Sequence, residues 1–220
     1  MIPLLLAAIS IAAYLIGNIN AVNIVSRIFR RQLPDFSGER AMAEINRVFG
    51  TPGIVAATVV DAAKTVVAVL LGGLVLHIAG GEPEGSLISY TAVGRCFAAF
   101  CVLLGHCWPA FHRFRGGRGG IVAMTAMLCI HFPLAVLILL IFLGVTWATK
   151  YLAVGTLVAA ALSPFAVWIE YGGLCALLAL FSVVVIFFTH RRSIVNLIRR
   201  REPKLNLQRD LSMKFEEEDF

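Results

Sequence analysis

Apolar residues along this chain come in runs long enough to cross a bilayer, separated by short polar stretches. A spanning helix needs about 20 mostly apolar residues. The first run, about 3–29, has that length and carries Gly17, Asn18, Asn20 and Asn23 in its middle. With no basic stretch before it and no small-residue cleavage site, it reads as a retained span whose polar residues face other helices. A second run covers about 53–79 with Asp61 and Lys64 in its first half, and a third about 87–108 with Arg95 inside. Residues 119–149 form one apolar stretch interrupted at His131-Phe132-Pro133. Proline and the residue before it disfavour continued helix. The pattern therefore predicts two spans there, 119–130 and 133–149, over one kinked span. Runs at 151–171 and 172–189, divided at Glu170-Tyr171-Gly172-Gly173, complete the set. The expectation is an all-α polytopic membrane protein of about seven transmembrane helices.

Composition agrees. The 220 residues are 59% hydrophobic and 15% charged, with a mean hydropathy of +0.85, which excludes a soluble globular enzyme and a disordered chain. Charge placement then orients the bundle. With the N-terminus outside and the C-terminus cytoplasmic, the inner segments 27–52, 109–118, Lys150 and 190–220 hold every Lys and Arg except Lys64 and Arg95. The outer loops hold Glu82, Glu84 and Glu170 and no Lys or Arg, as the positive-inside rule requires. A single span over 119–149 would put basic segments on opposite sides. The net charge of +6 is thus assigned to membrane orientation, with no nucleic acid as partner. The chain divides into one membrane-embedded domain, 1–204, and a polar cytoplasmic tail, 205–220. Cys96, Cys101, Cys107, Cys129 and Cys175 lack metal spacing and read as apolar packers.

Polar residues concentrate in three inner segments at the ends of spans. The first, residues 35–47, contains Ser37, Gly38, Glu39, Glu44 and Arg47; alone it also fits a solvated loop and a short interfacial helix capped by Ser37. The second is Gly105-His106-Cys107-Trp108-Pro109, continuing to Arg115-Gly116-Gly117-Arg118-Gly119-Gly120. Glycines around an arginine directly before a helix let backbone N–H groups converge on an anion. A flexible basic loop with Trp108 as interfacial anchor is the other reading. The third is His190-Arg191-Arg192-Ser193 with Glu202 and Lys204; an imidazole at the membrane boundary can bind phosphate or move a proton. Asp61 and Lys64, spaced i, i+3, can pair on one helix face, either at a functional site or as a self-neutralising pair. Arg95 is expected to snorkel outward, and His77 and His131 show no obvious partner. No Gly-x-Ser-x-Gly elbow and no His/Glu metal motif occurs, and no cofactor is expected.

Together these segments resemble the three short motifs of the bacterial integral-membrane acyl-phosphate:glycerol-3-phosphate acyltransferases, from Tyr14 to Lys204. The most specific match is Gly105-His106-Cys107-Trp108-Pro109-Ala110-Phe111, then Phe114-Arg115-Gly116-Gly117-Arg118-Gly119. The family reads Gly-His-x-Phe-Pro-x-Phe, two residues, then Phe-Lys-Gly-Gly-Lys-Gly. Asp61-x-x-Lys64, His190-Arg191, Glu202 and Lys204 match as well. In the first motif Ser37, Gly38 and Arg47 fit, while Glu39 and Glu44 replace asparagines and Ala43 a threonine. Arg115 and Arg118 stand for lysines and Ser193 for an asparagine.

The resemblance implies seven spans in the bacterial inner membrane and a site facing the cytoplasm. It implies that the 1-hydroxyl of glycerol 3-phosphate attacks an acyl phosphate, giving lysophosphatidic acid and phosphate without a covalent enzyme intermediate. Ser37, His106 and His190 would be catalytic. Arg47, Arg115, Gly116, Gly117, Arg118 and Gly119 would hold phosphate, supported by Gly38, Asp61, Lys64, Ser193, Glu202 and Lys204. The implied partners are acyl phosphate, glycerol 3-phosphate, membrane lipids and an enzyme that produces acyl phosphate. The substitutions leave open a catalytically silent relative that binds phosphorylated lipid, and Asp61, Lys64 and Arg95 leave open an anion transporter.

Overall fold

The structure, a computed structural model, describes residues 2–31, 41–80, 89–202 and 204, with side chains from residue 44 onward in the second stretch. The described residues are helical and contain no strand. In chain order they form α1 (Ile2–Gly17), α2 (Ala21–Ile28), α3 (Ala41–Gly80), α4 (Tyr90–Cys107), a 3-10 turn (Ala110–His112), α5 (Gly120–Ile130), α6 (Phe132–Thr149), α7 (Leu152–Thr189) and α8 (Arg191–Ile198).

Local chemistry sets the breaks. The Asn20 side chain accepts from the Val22 N–H at 2.9 Å and caps α2, whose axis is bent 44° from α1. His131 separates α5 from α6, its Nδ1 accepting from the Leu134 N–H at 3.3 Å, with Pro133 in the first turn. The division expected at 131–133 is therefore present. Gly172, at φ 78, interrupts α7 where the sequence divides. Straight, its 38 residues would measure roughly 57 Å, about twice a hydrocarbon core of about 30 Å. Among the described residues four helices are long and apolar enough to cross a membrane, five if the bent α1–α2 pair is counted as one span. Against the expected seven, the difference lies in α5, with only 11 residues, and in the two parts of α7.

α4 is the centre of the bundle, packing against α1, α3, α5 and α7 and burying Cys96, Ala98, Val102, Leu103 and Cys107. Its contact with α1 is backbone to backbone. A Cβ added at Gly17 would lie 2.5 Å from Val102 O, and one at Gly105 would overlap Tyr14 O. α6 differs: only Ala135, Ile138 and Thr146 are buried, while Leu137, Leu140, Leu143 and Trp147 are exposed. A helix apolar all round but packed along one stripe presents the rest to lipid. All five cysteines are free thiols and four are buried, in keeping with a packing role.

Two expectations change at the far end of the bundle. Arg95 does not snorkel outward; its Nη1 donates to Cys129 O at 3.0 Å, and the Tyr171 hydroxyl donates to Ile130 O at 3.0 Å. The last turn of a helix leaves carbonyls without intrahelical donors, and these two side chains satisfy them for α5. His77 and His131 do have partners. His77 Nδ1 lies 3.0 Å from Thr91 Oγ1, and His131 Nε2 lies 3.3 Å from Glu170 Oε1.

Candidate active site

A cavity of about 970 Å³ opens beside the loop that joins α4 to α5. Asn18, Asp61, Lys64, His106, Arg115, Arg118, His190, Glu202 and Lys204 line its polar end. From there it continues along α4 and α5 to Cys96 and Ile130, about 15 Å beyond His106 by helix rise. Leu103, Met127, Ile138, Phe142, Ala160 and Val167 line this arm. Three of its hydroxyls turn back on their own helices: Thr156 to Leu152 O, Ser163 to Ala160 O and Ser182 to Leu178 O. A hydroxyl bonded in this way adds little polarity to the space it faces.

Lys64 organises the polar end. Its Nζ donates to Ile19 O at 2.8 Å and Gly17 O at 3.2 Å, and lies 3.0 Å from His106 Nδ1. Gly17 closes α1, so the ammonium sits on carbonyls left exposed by the break before α2. Asp61 Oδ1 is 2.7 Å from the same Nζ, the pairing expected from the i, i+3 spacing. Three N–H donors already directed elsewhere make this an ion contact: Oδ1 accepts no aligned hydrogen bond among the described residues. Both side chains are almost fully buried. When His106 Nδ1 accepts from Lys64, the neutral ring carries its proton on Nε2; the same Nδ1 also lies 3.4 Å from Asp61 Oδ1, so the ring faces both members of the ion pair. Nε2 faces Gly117, where a Cβ would overlap it.

The glycine loop is tied to α4. Gly116 N–H donates to Cys107 O and Gly117 N–H to His106 O, each at 3.1 Å. The expectation that these two N–H groups converge on an anion is corrected, because they close the loop onto carbonyls at the end of α4. Glycine is required for space: a Cβ at Gly116 would overlap the His106 carbonyl. Gly119, at φ 82, turns the chain into α5. The first-turn N–H groups of α5 have no intrahelical acceptor, and Gly120 and Ile121 of that turn line the cavity with Arg115 and Arg118. Arg118 meets the α7–α8 junction twice. Its Nη1 donates to Ser193 Oγ at 3.0 Å, and its carbonyl accepts from Thr189 Oγ1 at 2.9 Å. His190, 4% exposed, lies with Nδ1 2.9 Å from Ile186 O. Donation there makes Nε2 the basic nitrogen of the neutral ring.

The cavity thus brings together His106, His190, Arg115, Gly116, Gly117, Arg118, Gly119, Asp61, Lys64, Glu202 and Lys204. Ser193 lies behind the wall and reaches the cavity through Arg118. Arg47 is not brought in; it pairs with Glu44 Oε2 at 3.0 Å, its own side chain 76% exposed. That pair also neutralises Glu44 away from the cavity lining. Ser37 and Gly38, with Glu39, lie outside the described residues. Arg95 does not line the cavity, so the ionisable residues of the spans form no single path. Sequence reasoning misses two residues. Asn18 is buried in the polar end with Nδ2 donating to Tyr14 O at 3.2 Å; its signal is an amide directly after Gly17 in an apolar run. Thr189 carries no signal beyond its place before His190.

Apolar helices around a cavity with a cationic end and a greasy arm define an integral-membrane protein suited to a ligand that is part phosphate and part hydrocarbon. Residues 7–200 match the family model described as glycerol-3-phosphate acyltransferase, and the chain belongs to that family. A glycerol-3-phosphate acyltransferase of Clostridioides difficile (strain 630) is 28% identical over 204 residues, covering 92% of this chain and 96% of that protein. One from Herminiimonas arsenicoxydans is 32% identical over 199 residues, covering 89% and 93%. The fold is similar to the crystal structure of PlsY, an integral membrane glycerol 3-phosphate acyltransferase. Its glycerol 3-phosphate form gives a TM-score of 0.75 at 20% identity, covering 94% of this chain and 98% of that one. Its lysophosphatidic acid form gives 0.73 at 22% identity, covering 90% and 94%.

Proposed function

We propose that this chain transfers an acyl group from an acyl phosphate to the 1-hydroxyl of glycerol 3-phosphate, releasing lysophosphatidic acid and inorganic phosphate. By family it is a glycerol-3-phosphate acyltransferase, an enzyme of phospholipid synthesis. The observation that carries the finer reading is one continuous cavity, cationic at one end and apolar over the rest. Such a cavity suits an acceptor phosphate and a donor acyl chain together.

Arg115 and Arg118 hold the acceptor phosphate beside the α5 N-terminus, with Gly116, Gly117 and Gly119 shaping the wall. His190 Nε2 and the His106 Nε2–H serve as acceptor and donor to the reacting oxygens. Asp61 and Lys64 fix the His106 ring, and Glu202 and Lys204 border the mouth. Ser37 and Gly38 belong to this reading through the motif resemblance, whereas Arg47, paired with Glu44 outside the cavity lining, does not. The 1-hydroxyl oxygen bonds to the acyl carbon, the carbon–oxygen bond to phosphate breaks, and the hydroxyl proton leaves on a phosphate oxygen. The leaving group is already good, so positioning and charge stabilisation supply the rate. No cofactor and no covalent enzyme intermediate takes part.

The topology belongs to the same reading. Seven crossings arise from α1 with α2, α3, α4, α5, α6 and the two parts of α7, with the N-terminus outside and the C-terminus inside. The absence of Lys and Arg from the outer loops supports this. The protein is multi-pass in the bacterial inner membrane, its site faces the cytoplasm, and an acyl-phosphate-producing enzyme supplies the donor. Residues 1–204 form one embedded domain, supported by a cavity lined from Gly17 to Lys204, and 205–220 a polar tail. The test is purified protein with palmitoyl phosphate and glycerol 3-phosphate. Phosphate and lysophosphatidic acid should form in equal amounts. No acceptor-dependent phosphate release with any phosphorylated polyol would overturn the activity and leave a silent lipid-binding relative.

A further inference from the structure

We propose that Ser193 and Thr189 are positioning residues: a two-point clamp that aims the Arg118 guanidinium at the acceptor phosphate without either residue touching substrate. The inference rests on the reading of Arg118 as a phosphate ligand given above. Arg118 lines the cavity, whereas Ser193 and Thr189 do not and are 2% and 9% exposed. One contact fixes the side chain, Nη1 to Ser193 Oγ at 3.0 Å. The other meets the backbone: Thr189 Oγ1 lies 2.9 Å from Arg118 O and shares its single hydroxyl hydrogen with Ile186 O, also at 2.9 Å. The restraint has a reason. Arg118 stands between Gly117 and Gly119, so the backbone on either side of it is permissive, and its side chain is long and rotamer-rich. A guanidinium binds phosphate through a planar fork whose value depends on orientation. The two clamp residues are spaced i, i+4 across the turn from α7 to α8, and His190, which lines the cavity, lies between them. One short junction therefore sets both a histidine and an arginine of the polar end.

The test is steady-state kinetics of the full-length enzyme in detergent or liposomes, varying glycerol 3-phosphate at saturating acyl phosphate. Ser193→Ala should raise KM for glycerol 3-phosphate about tenfold, the size of one hydrogen bond to a charged group, with kcat within about twofold. Adding Ser193→Ala to Arg118→Ala should cost nothing further, because the clamp then has nothing to hold. Rescue is the readout that a merely structural role would not give. Arg118→Lys sets the donor back from where Nη1 lies, and Ser193→Asn brings the acceptor forward. The double variant should therefore recover most of the loss of Arg118→Lys alone. An unchanged KM in Ser193→Ala overturns the clamp while leaving the phosphate reading in place. So does a Ser193→Ala effect that adds in full to Arg118→Ala. An Arg118→Ala enzyme with unchanged KM overturns the phosphate reading and the clamp with it.

Discussion

Replacing Lys64 by methionine keeps the length and volume of the side chain and removes its charge. In the native protein that charge serves Asp61 at 2.7 Å, Ile19 O at 2.8 Å, His106 Nδ1 at 3.0 Å and Gly17 O at 3.2 Å. Lys64 and Asp61 side chains are 3% and 6% exposed, so solvent screening offers little relief. Breaking a buried pair by removing one partner costs about 3–5 kcal/mol, because the other charge stays buried and uncompensated. For a chain of this size about 1 kcal/mol moves Tm by about 2–4 °C, so Lys64→Met should lower Tm by roughly 6–20 °C. Asp61→Asn combined with Lys64→Met removes both charges and should restore at least half of that loss. The remainder reflects the Gly17 and Ile19 carbonyls left without a donor. Thermal unfolding in detergent, followed by intrinsic tryptophan fluorescence, measures all three proteins. A Lys64→Met protein within about 2 °C of wild type, or a double variant less stable than the single one, refutes the reasoning.

Gly117→Ala places a methyl group on His106 Nε2 and should lower turnover by about a hundredfold through misplacement of the ring, whereas Gly173→Ala, with nothing within 4 Å, should behave as wild type; equal activity of the two would remove His106 from the site. Ser163→Phe narrows the apolar arm and should shift preference towards shorter acyl phosphates in a chain-length series; an unchanged series places the acyl chain elsewhere. A membrane-impermeant thiol reagent applied to intact cells should label Glu84→Cys and not Gly38→Cys, and the reverse pattern inverts the topology.

Much of the helix layout is legible in the sequence because each break carries its own chemistry. Pro133 after His131 divides 119–149, and Gly172 divides the last long run. The i, i+3 spacing of Asp61 and Lys64 is enough to anticipate their pair. The partners across the fold are not legible. Nothing local to Lys64 says that it rests on the carbonyls of Gly17 and Ile19, because those face it only once α1 packs on α3 and α4. The glycine loop shows the limit from the other side. Dense glycine signals that side chains are not tolerated, but only the folded loop shows that Gly116 and Gly117 are needed for space against α4. Arg118 and Ser193 read along the chain as two separate substitutions; in space they form one hydrogen bond.

α5 is short and held at both ends. Arg118 and Gly119 lead into its start at the polar end of the cavity, and Arg95 and Tyr171 take the carbonyls of Cys129 and Ile130 at its finish. The consequence concerns which changes in the gene the protein tolerates. An apolar position such as Leu128 accepts another apolar side chain of similar volume at little cost. Inserting or deleting one residue is different, since it turns everything beyond it by about 100° and moves it by about 1.5 Å. Arg95 and Tyr171 would then meet side chains where carbonyls had been, or the phosphate end would rotate away from His190. Codon changes that exchange one apolar residue of α5 for another of similar volume are therefore tolerated, while a gain or loss of a single codon there is not.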